Sequence, residues 1–401
     1  MAPDSFLPPT SAAEYIERAR ALRPLLGALS DRMEAERRVL PEALDALHQA
    51  GLFRMILPRS MNGGEVEPAT LFHVMEQIAQ ADASTAWCLG QASGCASTAA
   101  FLAPAVAWKM FGSDPRAVLA WGPGPKVKAI ACDGGYRVSG TWSFASGCRH
   151  ATWLGAHAPL HDADGTPQRD ASGKRIERTF LVPAQAVRWT DIWNVMGLRA
   201  TASDAFSLDD HFVRNDHAFS RDWTKRQECF EPGPLYRIPA MLMYEISFAG
   251  VAAGIARAAL DYFVEFARTK VPRGMPSPLR DNTVVQMNAA ESHVRLESAR
   301  HWLLKTIGEI WDDVRQPDGE LSLEHRMAIR LASTWTIHQA RHAVDFAYNA
   351  AGASAIFGSN PLERRFRDIH TLTQQVQGRL SHLEAVGGYL LGSGEPDLTF
   401  I

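Results

Sequence analysis

Residues 136–147 read YRVSGTWSFASG, and the interpretation of the whole chain starts from this stretch. It follows the turn-forming sequence DGG, and its larger residues alternate with small polar ones. Because side chains alternate across a strand, we expect a β-strand whose one face is formed by Tyr136, Val138, Gly140, Trp142 and Phe144. The strand ends in small residues, which allow backbone to come close to a ligand.

The sequence on both sides of this strand region is helical in pattern. Ser11 precedes Glu14 by three residues, as in a capping box, and apolar residues recur at steps of three and four after residue 240. Helices near 240–269, 282–314, 322–351 and 367–391 predict an antiparallel bundle. We therefore expect an α+β fold, mainly α. Its predicted parts are an N-terminal helical domain (1–115), a central β-barrel or β-sheet domain (116–215) and a C-terminal four-helix bundle domain (216–401).

Composition excludes several classes of protein. The 401 residues are 46% hydrophobic and 21% charged, with a net charge of −3 and no long basic run, which argues against a nucleic-acid partner. The five cysteines form no CxxC pair, as expected in a reducing compartment. The apolar run 248–260 is too short to cross a membrane and contains Arg257. We expect a soluble, cytoplasmic protein without a membrane partner.

Two motif-like sequences carry little weight. His338 and His342 stand four residues apart, but Gln339 replaces the glutamate of a zinc protease and no third ligand is evident, so no metal is predicted. The Gly122–Gly124 pair lacks the third glycine of a dinucleotide fingerprint, because Val127 stands there. We therefore expect no separate site for NAD(P)H.

The order of the three parts resembles the acyl-CoA dehydrogenase superfamily over nearly the whole chain, and so implies the acyl-CoA dehydrogenase fold. Local sequences resemble its motifs: 34–64 the N-terminal signature, 82–87 (DASTAW) the start of a core helix, 142–144 (WSF) the Trp-Ile-Thr flavin strand, 196–203 (MGLRATAS) the Met-Gly-hydrophobic-Arg turn, and 361–368 (PLERRFRD) the approach to the last helix.

One branch of the superfamily is more similar than the others. Residues 135–147 and 197–204 look like the two-component flavin monooxygenases, which take reduced FMN or FAD from a separate reductase and form a flavin C4a-hydroperoxide. The resemblance implies the oxygenase component of such a system, hydroxylating a small aromatic or heterocyclic substrate. It also implies a homotetramer assembled through the helical bundle.

A departure from the dehydrogenase pattern lies near the C-terminus. Usual acyl-CoA dehydrogenases carry a glutamate base there, whereas residues 367–378 read RDIHTLTQQVQG, and glutamine cannot abstract a proton. Two alternatives stay open: a flavin dehydrogenase with its base elsewhere, and a non-catalytic member that binds a ligand. Many of the monooxygenase branch carry a histidine about where Gln375 stands and some another near Gln91, and this chain has neither.

The resemblance, with the residue types, implies the candidate site. For the flavin we predict Trp121, Gly122, Trp142, Phe144, Ser146, Gly147 and Arg273. For catalysis we predict Ser146, His370 and Gln375, and for substrate Trp87, Gln91 and Gln375. Ser146 and Gly147 would supply a hydroxyl and an amide near flavin N5. Simpler roles compete: core packing for the tryptophans, a turn for Ser146, a salt bridge for His370 and solvent exposure for Arg273.

Overall fold

The structure is a computed structural model that describes residues 9, 11–220 and 229–393. Its N-terminal helices are α1 (Ala12–Glu36), α2 (Pro41–Gln49), α3 (Pro68–Ala81), α4 (Ala83–Ala96) and α5 (Pro104–Ala107). Side chains that accept backbone N–H groups start two of them, Ser11 from Glu14 and Asp82 from Thr85. Pro41 opens α2, where its missing N–H costs nothing.

The central region is an eight-stranded mixed sheet. Its strands are β1 (Leu119–Gly122), β2 (Val127–Cys132), β3 (Gly135–Ala145), β4 (Trp153–His161), β5 (Glu177–Pro183), β6 (Arg188–Thr190), β7 (Asp204–Arg214) and β8 (Ala218–Ser220). The order is β6-β7-β3-β2-β4-β5-β8, and β1 pairs with β4 in parallel. The strand predicted from YRVSGTWSFASG therefore lies inside the sheet, between β2 and β7.

The prediction that the alternating residues of β3 share one face is wrong at the C-terminal end of the strand. The register against β7 shifts between Val138 and Gly140 and again between Trp142 and Ala145. Each bulge adds unpaired residues and rotates those that follow. Phe144 has φ = 58° and is exposed, whereas Trp142 and Ala145 point into the sheet's own core. Trp142 and Phe144 therefore lie on different sides of the strand.

The C-terminal region is helical, and the predicted mainly α fold class is confirmed. Three long helices, α6 (Ala240–Thr269), α7 (Thr283–Val314) and α8 (Leu323–Ala351), match their predictions closely. The predicted fourth helix is instead two, α9 (Pro361–Leu372) and α10 (Ser381–Leu391). The chain is extended at Gln375, whose side chain accepts the Gln377 N–H, so the helix cannot continue there.

One helix of the described residues, α6, is long and apolar enough to cross a membrane. Within its most apolar window, however, 83% of the residues are buried in the protein. It packs against α3, α4, α8 and α9 and is thus the central helix of the main core. Glycines on its neighbour permit the approach: a Cβ on Gly94 of α4 would overlap the ring of Tyr244.

Candidate active site

The end of β3 presents an aromatic side chain to solvent. Phe144 is 61% exposed, and its ring meets that of Trp193 edge-on, with centroids 5.9 Å apart. A phenylalanine with positive φ is strained and persists only where the surroundings enforce it. Strain of this kind is commonly found at functional sites, and the exposed ring offers a flat apolar wall.

Trp142, the other predicted aromatic wall, is not available to a ligand. It is 0% exposed, its indole N–H donates to the His157 carbonyl at 2.8 Å, and its ring stacks on Phe206 at 5.1 Å. The prediction that it contacts the flavin is corrected, because the bulge after Trp142 leaves its side chain inside the sheet.

Trp121 and Gly122, predicted as a flavin loop, lie at the end of β1. Trp121 is half-buried with its ring against His157, 5.0 Å between centroids. A Cβ on Gly122 would lie 1.9 Å from the Ser143 carbonyl oxygen. The glycine is therefore needed for the close approach of β1 to β3, which accounts for its presence without a ligand.

Trp87 and Ser146, predicted for different roles, lie in direct contact. The indole Nε1–H of Trp87 on α4 donates to Ser146 Oγ at 2.9 Å. The flat face of the same indole stacks on the ring of Phe248 of α6, with ring centroids 3.9 Å apart. Phe248 in turn stacks on Tyr244 one turn earlier, at 5.8 Å. The end of β3 thus borders a column of three aromatic rings.

Gln91 lies one helical turn after Trp87, on the same side of α4. Its amide Nε2 contacts Cys95 Sγ at 3.6 Å, and that sulfur is 3.2 Å from the Tyr244 hydroxyl. The predicted substrate residues Trp87 and Gln91 are thus both beside the aromatic column. Phe248 and Tyr244 were not predicted, although aromatic residues four apart on one helix were visible in the sequence.

A row of hydroxyl groups continues from Ser146 and was also missed. Ser146 Oγ lies 2.7 Å from Ser203 Oγ, which lies 2.8 Å from Thr201 Oγ1. Thr201 Oγ1 donates to the Leu198 carbonyl at 2.9 Å. The residues come from the sequence RATAS, and only the folded turn brings them to β3.

The amide groups predicted to face a flavin are occupied within the protein. The Gly147 N–H donates to the Thr201 carbonyl at 2.9 Å, and the Ser146 N–H donates to the Phe144 carbonyl at 2.9 Å. The prediction of a free Gly147 amide is therefore corrected. Gly147 has φ = 75°, so its role in this structure is to turn the chain after β3.

The predicted catalytic residues His370 and Gln375 have different surroundings. His370 lies in α9, and Gln375 lies in the connection between α9 and α10. His370 Nε2 lies 2.7 Å from Asp345 Oδ1 of α8, so the side chain faces the bundle. The salt bridge considered as its simpler role is therefore present, with a partner on another helix. Gln375 Oε1 accepts the Gln377 N–H, and its Nε2 is buried without a hydrogen-bond partner among the described residues. The Gln375 amide is therefore a donor that lacks an acceptor.

The turn 196–201 connects the end of β3 to α9. The Trp193 indole, which meets Phe144, donates to the Leu198 carbonyl at 3.0 Å. The Leu198 N–H donates to Asp368 Oδ1 of α9 at 2.6 Å. The central sheet and α9 are thus joined through one short turn, held by the buried carboxyl group of Asp368.

Burial raises the pKa of Asp368 from 3.8 to about 7. In the unfolded chain the group ionises near pH 4, so the stability that its protonated form contributes is lost as the pH rises toward 7. We expect Asp368→Asn, which cannot ionise, to gain stability relative to the wild type by about 2 kcal/mol between pH 5 and pH 7.

Urea unfolding at a series of pH values measures this difference. Asp312→Asn, on the exposed surface of α7, is the control and should show no comparable trend. A difference between Asp368→Asn and wild type that does not change with pH would mean that Asp368 is ionised in the folded protein throughout this range.

Two remaining predictions concern Arg273 and the metal content. Arg273, predicted to bind the flavin, is exposed in the connection between α6 and α7. Within residues 9, 11–220 and 229–393, no three histidine, cysteine, aspartate or glutamate side chains form a group that would hold a metal ion.

Comparison with known proteins places these residues in a family context. The acyl-CoA dehydrogenase N-terminal domain family matches residues 20–103, and the acyl-CoA dehydrogenase C-terminal domain family matches residues 246–377. The two matches together span more than half of the chain. They include α4 with Trp87 and Gln91, and α9 with its flanking Gln375.

Individual relatives are similar over almost their whole length. The flavin-dependent monooxygenase oxygenase subunit HsaA of Rhodococcus jostii (strain RHA1) is 26% identical over 88% of this chain and 92% of its own. The indole-3-acetate monooxygenase of Pseudomonas putida is 26% identical over 93% and 94%. The solved structure of XiaF from a Streptomyces species, in complex with FADH2 and glycerol, has a TM-score of 0.87 at 26% identity and covers 97% of each chain.

The residues at the end of β3 suit a flavin. An isoalloxazine ring needs a flat apolar wall and a few polar groups at its edge. Phe144 offers the wall. In the connection between α9 and α10, the unpartnered Nε2 of Gln375 is a buried donor of the kind that a ligand oxygen or nitrogen would satisfy. The half-buried Trp87 offers a second aromatic surface beside Ser146, and the buried rings of Phe248 and Tyr244 support it from behind.

Proposed function

This chain belongs to the acyl-CoA dehydrogenase family, and from that premise we propose that it is the oxygenase component of a two-component flavin-dependent monooxygenase acting on a small aromatic or heterocyclic substrate. The observation that carries the proposal is the near full-length similarity to the HsaA oxygenase subunit and to the indole-3-acetate monooxygenase. The half-buried indole of Trp87 beside Ser146 supports the substrate class, since aromatic rings pack well against aromatic side chains.

The cofactor is FAD or FMN, which when reduced activates dioxygen and supplies one oxygen atom to the substrate. Phe144 would hold one face of its ring system, and Ser146 would meet its edge. Trp87 and Phe248, stacked at 3.9 Å, would keep water out of the neighbouring substrate space. Gln375 would orient the substrate or the flavin through its unpartnered amide Nε2.

The structure disfavours a dehydrogenase with its base on α6. Glu245 is the carboxylate of α6 nearest in sequence to the aromatic column, and it is 1% exposed. It pairs with Arg330 of α8, Oε1 to Nε at 3.4 Å, and burial raises its pKa to about 7. Burial and the ion pair with Arg330 argue against Glu245 as a base that meets a substrate carbon.

The assembly that fits this proposal is a homotetramer served by a separate flavin reductase in the cytoplasm. An exposed apolar stripe runs along α7 through Val284, Met287, Val294 and Trp302. These residues recur at helical spacing on one face, as expected for a helix that packs against another subunit. Reduced flavin from another protein also agrees with the missing dinucleotide fingerprint.

The decisive experiment mixes anaerobic enzyme and reduced FAD or FMN with isotope-labelled dioxygen and a panel of phenols and indoles. We expect tighter binding of reduced than of oxidised flavin, and label in a hydroxylated product. A preparation that is yellow with tightly held oxidised FAD and is bleached by an acyl-CoA thioester would instead establish the dehydrogenase. Binding of neither redox form would establish the non-catalytic member.

A further inference from the structure

The hydroxyl row at the end of β3 has one favoured direction of its hydrogen bonds. A carbonyl oxygen carries no proton, so the 2.9 Å contact from Thr201 Oγ1 to the Leu198 carbonyl uses the single hydroxyl proton of Thr201. Thr201 can then only accept from Ser203, 2.8 Å away, and this uses the proton of Ser203. Ser203 must in turn accept from Ser146 at 2.7 Å. The proton of Ser146 therefore points to Ser203.

The Trp87 indole closes the row at its other end. Indole nitrogen is only a donor, so its 2.9 Å contact occupies one lone pair of Ser146 Oγ. Ser146 is left with a single unused function, its second lone pair. The opposite direction along the row would place the Thr201 and Leu198 oxygens 2.9 Å apart with no proton between them.

The neighbouring backbone N–H groups do not offer a ligand the proton that the Ser146 hydroxyl lacks. The N–H groups of Ser146 and Gly147 both donate to carbonyls of the protein. Ser146 is 6% exposed, so only a small part of this residue is open to a ligand. A ligand group that meets the Ser146 side chain must therefore bring the proton of the hydrogen bond itself.

The two redox states of a flavin differ in this respect. N5 of reduced flavin carries a proton and donates, whereas N5 of oxidised flavin has a lone pair and accepts. We propose that Ser203 and Thr201 are specificity-determining residues, which hold the Ser146 hydroxyl as an acceptor so that the site takes reduced flavin in preference to oxidised flavin. The inference rests on the proposed function, and Ser203 and Thr201 act only through Ser146.

The test compares dissociation constants for reduced and oxidised flavin, measured anaerobically and aerobically by fluorescence. In Ser203→Ala the proton of Ser146 is released from the row and can donate to oxidised N5. In Thr201→Val the proton of Ser203 loses its acceptor and can turn to Ser146, with the same result. We expect the preference for reduced flavin to fall about fivefold to tenfold in both variants, the worth of one hydrogen bond, chiefly because oxidised flavin binds more tightly.

Further variants separate the proposal from a structural effect. Ser146→Ala should also lose the preference, but through weaker binding of reduced flavin, because it has no proton to offer the oxidised form. Ser139→Ala removes a hydroxyl from the middle of β3 and should leave the ratio of the two constants unchanged. Near-UV circular dichroism checks that each variant keeps its tertiary structure.

The outcomes distinguish the two proposals. Wild-type protein that binds neither flavin form overturns the proposed function. Wild-type protein that prefers reduced flavin, together with Ser203→Ala and Thr201→Val variants that fold and keep the same preference, overturns the role of the row while the oxygenase proposal stands. A tightening of oxidised flavin in both variants supports it.

Discussion

Replacing Trp142 by alanine should lower the free energy of unfolding by about 3–5 kcal/mol, the largest stability loss expected from a single change at this site. The indole is fully buried in the core of the central sheet and stacks on Phe206. Its removal leaves a cavity between β3 and β7 and deletes the bond to the His157 carbonyl. Urea unfolding followed by circular dichroism, at one fixed protein concentration, measures the loss.

Trp142→Phe is the matched control. It keeps an aromatic ring against Phe206 and loses the indole N–H, so we expect a loss of about 1–2 kcal/mol. Should Trp142→Ala unfold like wild type while flavin binding collapses, Trp142 would be a cofactor wall after all, and its assignment to the core would be wrong.

Replacing Phe144 by alanine should have the opposite profile, with little change in stability and a large change in flavin affinity. The ring is 61% exposed, so truncation removes little buried surface. If it forms one wall for the flavin, its loss should raise the dissociation constant of reduced flavin about tenfold, which corresponds to about 1.4 kcal/mol. Anaerobic fluorescence titration measures this constant.

Phe144→Gly extends the test to the backbone. Because φ is 58°, glycine removes strain and should stabilise the fold by about 0.5–1 kcal/mol relative to alanine at this position, although it abolishes the same wall. Phe212→Ala is the control, since it removes another exposed ring, 41% exposed, from β7, where Phe212 pairs with Arg137 at the far end of β3. Equal flavin affinities of Phe144→Ala and Phe212→Ala would remove Phe144 from the site.

Helix and strand identity could be predicted for most of this chain because those signals are local. The capping of α1 by Ser11 and the period of α6 to α8 each depend on residues within one or two turns. The strand 136–147 was equally visible through its alternation. Its bulges were not, because they arise where β3 must match the register of β7.

In the candidate site, too, some residues could be identified from the sequence and others could not. Trp87, Gln91 and Ser146 were identified from residue type and family resemblance, and the fold brings them together beside α6. Ser203 and Thr201 were not identified, because a serine and a threonine in a turn have no distinguishing pattern until their hydroxyls meet β3. The family resemblance placed His370 in the site. Its contact with Asp345 joins two different helices, and the sequence could not show it.

The order of helical, strand and helical regions and the membership in the superfamily are readable from the chain, since both depend on short motifs and local periodicity. Which aromatic residue of TWSF is core and which is exposed, and which hydroxyl groups meet Ser146, depend on the folded contacts. Strand register and hydrogen-bond partners are properties of pairs of groups far apart in the chain, and neither partner carries the information alone.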